Sequence, residues 1–148
     1  MKRIVIVLSI VLSTICTSYS GELRQSGQSV IKEPKNLFDR DNVKSVTLKN
    51  DELQVVCKLH SGKFIDEYAL YAVPWITNLA GKKIKVSYHA AFFDKTDQLV
   101  ASISQSADIP ADASGHQLGS SITLIPKSIV EKITSYKLVI YTADATSK

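Results

Sequence analysis

The chain has 148 residues, with 18 Lys plus Arg against 14 Asp plus Glu and a formal net charge of +4. Lys2 and Arg3 are the charged residues of the first twenty, so a chain without that segment carries +2. A balance this even, with the short run Lys82-Lys83-Ile84-Lys85 as its one basic cluster, excludes the broad basic face of a nucleic-acid binder.

The first element is a leader. Lys2 and Arg3 precede the apolar run "IVIVLSIVL" (residues 4–12), and "SYS" (residues 18–20) supplies small residues before Gly21. That order is a secretory signal with cleavage expected between Ser20 and Gly21. A membrane-spanning helix needs about 18 apolar residues, which this run does not reach. Lipid attachment at Cys16 would want a small residue before it, and Ile15 stands there. Residues 1–20 are therefore read as a signal peptide. The protein is expected to be periplasmic or secreted, in the manner of a Gram-negative bacterium, with no stable membrane insertion after cleavage.

Residues 21–36 are rich in Ser, Gln, Gly and charge without a period, and read as a flexible N-terminal tail. Residues 37–144 suit one domain large enough to bury a core without disulfide staples, and residues 145–148 form a C-terminal end. With Cys16 gone, Cys57 stands alone. In "LQVVCKLH" (residues 53–60) it alternates with Leu53, Val55 and Leu59 on one strand face, which points it inward as a small hydrophobe.

Seven short strands follow one another. They are "KSVTLK", "LQVVCKLH", "EYALYAV" (ended by Pro74, which cannot donate to a ladder), "KIKVSYHAAFF", "QLVASISQSA", "SSITLI" and "SYKLVIYTA". Turn signals separate them, and "PKSIVEKIT" supplies one short helix opened by Pro126. Ile129 and Val130 on that helix are expected to be partly exposed. The pattern predicts an all-β, seven-stranded antiparallel sandwich of immunoglobulin-like type, with a partly open β-barrel as the alternative.

The most strongly patterned stretch is "VSYHAAFFDKTDQLVAS" (residues 86–102). Ile84, Val86, Tyr88, Ala90 and Phe92 fall on one face of the first run, and Leu99, Ala101 and Ile103 on one face of the second. Asp94 and Asp97 suit the turn between them because short carboxylates bond nearby backbone N–H groups. Phe92-Phe93-Asp94 followed by Leu99-Val100 resembles the hairpin of extracytoplasmic FxLYD-type immunoglobulin-like domains, over about residues 84–122. The resemblance implies a non-catalytic sandwich module.

Chemistry-bearing groups are sparse. His60, His89 and His116 lie on separate elements without metal-ligand spacing. Cys57 and His60 point to opposite faces, and His89, opposite Tyr88, reads as a half-exposed sheet residue. Ser114, His116, Ser120 and Ser121 share one loop, whereas catalytic triads converge from distant parts of a fold. Asp66-Glu67 diverge along a strand, and "NLAGKK" lacks the second glycine of a phosphate loop. No catalytic residue, metal site or cofactor is expected.

"YAVPWITN" (residues 71–78) stands out. Trp75 there is expected to cap the core from the sandwich end. The competing reading makes Tyr71, Pro74 and Trp75 a partner-binding cluster, since aromatic residues dominate interface hot spots. The function expected is an exported, non-enzymatic β-sandwich that binds an envelope or secreted protein or assists assembly of a surface structure. The alternative is a small secreted hydrolase or a carbohydrate-binding module.

Overall fold

The computed structural model describes residues 21–29, 34, 43–64, 67–119 and 121–145. The leader up to Ser20 lies outside the described residues. Nine strands and one helical turn follow in order: β1 (Gly21–Gln28), β2 (Val43–Lys49), β3 (Leu53–Phe64), β4 (Glu67–Asn78), β5 (Ile84–Phe93), β6 (Leu99–Ile109), β7 (His116–Gln117), β8 (Ser121–Ile125), α1 (Lys127–Val130) and β9 (Ser135–Asp144). One antiparallel sheet has the order β1-β9-β5-β6, and the other runs β2-β3-β4 with β7 and β8 both paired to β4. The expected two-sheet sandwich is the fold. No ladder joins the two sheets among the described residues, so the barrel alternative does not hold.

The core lies between the sheets and follows from period-two alternation. Leu53, Val55, Cys57 and Leu59 of β3 are fully buried, as are Val86, Tyr88, Ala90 and Phe92 of β5 and Leu138 and Ile140 of β9. The Tyr88 hydroxyl crosses the layer and donates to the Ala72 carbonyl at 3.3 Å, tying the sheets together.

Four departures from the sequence reading have physical causes. Residues 21–28 are not an unpaired tail: the whole of β1 pairs with β9, from Gly21 opposite Thr142 to Gln28 opposite Ser135. Its polar sequence hides it, because a ladder of backbone hydrogen bonds asks little of the side chains.

Pro74 does not end β4, which continues to Asn78. Its carbonyl accepts the Leu118 N–H at 3.1 Å, so its nitrogen faces the same side, where β8 stops at Ser121 and β7 stops at Gln117. The missing N–H therefore falls where β7 has just ended, opposite Leu118, and the contact there is the single bond from the Leu118 N–H.

Leu99 is not on the buried face of β6. A bulge pairs Phe92 with Ala101 and Phe93 with Leu99, so one extra residue flips the alternation. Val100 packs against the core, and Leu99 is 59% exposed. Finally, Val130 of α1 is buried rather than exposed.

The turn between β5 and β6 is built as expected. Asp94 Oδ1 accepts from the Thr96 N–H, the Thr96 hydroxyl and the Gln98 N–H at 2.8, 2.7 and 3.1 Å. These bonds, with the Thr96 hydroxyl first, hold the carboxyl below its usual range. Asp97 takes a positive φ of 61°.

Candidate protein-binding face

The outer face of the five-stranded sheet is built on β3 and β4, which run side by side for 12 residues each. Inward positions are taken by the core, so Val56, Lys58 and His60 of β3 and Tyr71, Val73 and Trp75 of β4 turn outward. Register then lines residues up across strands. Val43, His60, Tyr71 and Ile122 stand in one row over β2, β3, β4 and β8. Thr47, Val56, Trp75 and Gln117 form a second row.

Two contacts organise this surface. The His60 and Tyr71 rings stack with centroids 4.6 Å apart and planes 5° from parallel. The Lys58 ammonium lies 4.8 Å from the centre of the Trp75 ring, a cation–π geometry. Burial lowers His60 from its ordinary value of 6.5, and the nearby Lys58 charge adds to that, against a backbone hydrogen bond at Ser61 that raises it. Burial likewise raises Tyr71. Among the described residues the face carries Lys49 and Lys58, and its carboxylate, Glu67, sits at the far end of β4.

β8 completes the face in an unusual way. Its sequence "SITLI" alternates hydroxyl and aliphatic residues, which ordinarily sends the aliphatic side inward. Here the order is reversed. The Ser121 hydroxyl donates to Gln105 Oε1 at 2.7 Å and the Thr123 hydroxyl to the Ser102 carbonyl at 3.4 Å, both on β6 of the other sheet. Ile122 and Leu124 are left 54% and 61% exposed, beside Tyr71 and Ala69.

The three residues singled out from sequence separate. Tyr71 and Trp75 share the outer face, both half-buried, while Pro74 is buried and turned toward the core. Trp75 does not cap the sandwich end; its odd position in β4 puts it outside with Tyr71. Sequence reasoning missed Ile122 and Leu124. The signal was their alternation with Ser121 and Thr123, but only the partners on β6 decide which side turns inward.

The histidines lie apart, on β3, β5 and β7, with His89 and His116 exposed. The opposite outer face of the sandwich is polar, with Ser102, Ser104 and Ser106 along β6 and a Ser87–Ser106 hydroxyl pair at 2.6 Å.

No family model and no curated protein sequence matches the chain. A similar solved structure is the structure of infectious bursal disease virus Gx strain, with a TM-score of 0.34 and 14% identity over 89% of this chain. The present chain spans 27% of that viral chain.

Proposed function

We propose that this is an exported, non-catalytic β-sandwich that binds a protein partner in the cell envelope through the outer face of its five-stranded sheet. The observation that carries the reading is β8, whose Ile122 and Leu124 side chains point to solvent while the hydroxyls of Ser121 and Thr123 anchor inward. A strand turned this way adds exposed apolar area next to Tyr71, His60 and Trp75, and such patches mark interaction sites. The leader pattern of residues 1–20 supports export, and the FxLYD-like hairpin around Phe92-Phe93-Asp94 supports a binding module.

A carbohydrate platform fits less well. Sugars stack on open aromatic faces, whereas Trp75 has Lys58 over its ring and Tyr71 has His60 against its own.

A photo-crosslinking residue at Leu124, compared with one at Ser104 on the polar face, tests the proposal in producing cells. A discrete protein adduct at position 124, absent at 104 and lost on adding Ile122→Ser, is the expected result. Equal labelling at both positions would remove the reading.

A further inference from the structure

We infer that removing the leader installs a charged group in the fold. The α-ammonium left on Gly21 joins Lys82 as a cation between the carboxylates of Glu52 and Asp144, and it ties β1 to the turn between β2 and β3. That role rests on the export reading, under which Gly21 is the first residue of the processed chain.

The ladder fixes where the Gly21 nitrogen lies. The Ser29 N–H donates to the Thr134 carbonyl at 2.8 Å, and hydrogen-bonded pairs recur at every second residue of an antiparallel ladder. Gly21 and Thr142 are therefore such a pair, with the Gly21 nitrogen donating to the Thr142 carbonyl. Glycine is needed at this point, because a Cβ would sit 2.7 Å from Oγ1 of the buried Thr142.

The turn that faces this nitrogen is held as firmly. Asn50 Oδ1 accepts the N–H groups of Glu52 and Leu53 at 3.0 and 2.8 Å, and the Asn50 N–H donates to the Leu53 carbonyl at 2.9 Å. Glu52 Oε2 lies 3.6 Å from the place a Cβ on Gly21 would take. A backbone nitrogen is about 2.5 Å from its own Cβ, so the Gly21 nitrogen is at most about 6 Å from that oxygen. Opposite charges at about 4–6 Å favour the ionised form of each. After the Thr142 carbonyl is served, an ammonium has two N–H bonds left for the carboxylate.

The charges at this end of the sandwich do not balance without it. Lys82 binds Asp144 at 2.6 Å. It is held above its ordinary value of 10.5, first by that hydrogen bond and charge, against desolvation, and further by the charge of Glu52. One lysine thus serves two carboxylates. Nearby, Lys83 pairs with Asp108, and Glu22 of β1 pairs with Arg24. Asp51 is exposed in the turn, and Lys49 lies on the outer face of the sheet. In the leader-bearing chain the Gly21 nitrogen is a neutral amide. Cleavage between Ser20 and Gly21 makes it the missing cation, and a cut one residue away would move the charge about 3.4 Å along the strand.

Titration of the Gly21 amine tests this. Residues 21–148 are released from a fusion so that Gly21 is the first residue, carry isotope-labelled glycine, and are followed by NMR from about pH 6 to 11. An α-amino group ordinarily titrates at about 7.7–8.0. The expected midpoint is about one unit higher, returning to the ordinary range in Glu52→Gln. A chain that keeps Ser20 is a second control with every side chain of the cluster intact, and its amine is also expected in the ordinary range. A pKa raised by folding stabilises below the unfolded value, and the gain is lost as pH rises through the folded one. The urea midpoint should therefore fall between about pH 7 and pH 10 by more in the Gly21 chain than in either control. A Gly21 midpoint at or below about 8, or a rise that persists in both controls, overturns the inference. Mass spectrometry of protein from exporting cells tests the export reading separately. A first residue other than Gly21 there overturns the role given to processing, whatever the titration shows.

Discussion

Lys58 and Trp75 meet diagonally across the β3–β4 ladder, the ammonium 4.8 Å from the ring centre. The lysine stem and its charge shield one face of the indole, which lets a tryptophan stand on the outside of a sheet without a core to fill. Trp75→Ala is accordingly expected to cost about 1 kcal/mol. A core tryptophan would cost about 3–5 kcal/mol. Urea unfolding of wild type and variant, followed by circular dichroism, distinguishes the two.

His60 gives the protein a pH dependence with a definite sign. Its pKa is lower folded than unfolded, so the unfolded chain binds more protons below about 6.5. Stability from this group is full above that pH and declines as pH falls toward the folded value. His60→Gln should flatten the difference in urea midpoint between pH 7.5 and pH 5.5. An unchanged slope would show that the Tyr71 stack leaves His60 free to titrate as in water.

Cys57 is buried between the sheets, and burial pushes its thiol up to about 12. The thiolate that reacts is then scarce in the native state. A thiol reagent at pH 8 should label native protein slowly and urea-unfolded protein at once. Rapid native labelling would contradict the packing of β3.

Asn78 closes the end of β4. Its amide nitrogen donates to the Lys82 and Pro110 carbonyls at 2.8 Å each, and its amide oxygen accepts the Ala80 N–H at 2.9 Å. One buried side chain thus fixes two loops, and Asn78→Ala leaves two carbonyls short of a donor. A loss of about 2–3 kcal/mol is expected in the same urea assay.

What could be read from sequence was what alternation controls. The inward faces of β3 and β5 were legible because Leu53, Val55, Cys57 and Leu59, and Val86, Tyr88, Ala90 and Phe92, recur at every second position. Leu99 was misplaced because nothing local announces a bulge at Val100. β1 was unreadable because its hold is mostly a backbone ladder, with Leu23 its one apolar side chain packed on the core. The candidate face was half legible. Tyr71 and Trp75 stood out as aromatics, but their exposure depends on the partner strands. The orientation of β8 is set by Gln105 and the Ser102 carbonyl, more than fifteen residues away in sequence.

The broken edge beside Pro74 has a consequence for how the molecule behaves in a crowd. An uninterrupted open strand is a template on which another chain can zip and begin a fibril. Beyond β4 the sheet offers instead two residues of β7 and five of β8, with a proline facing the gap. A neighbour arriving there finds no continuous row of donors and acceptors to extend, so this rim resists the growth of amyloid.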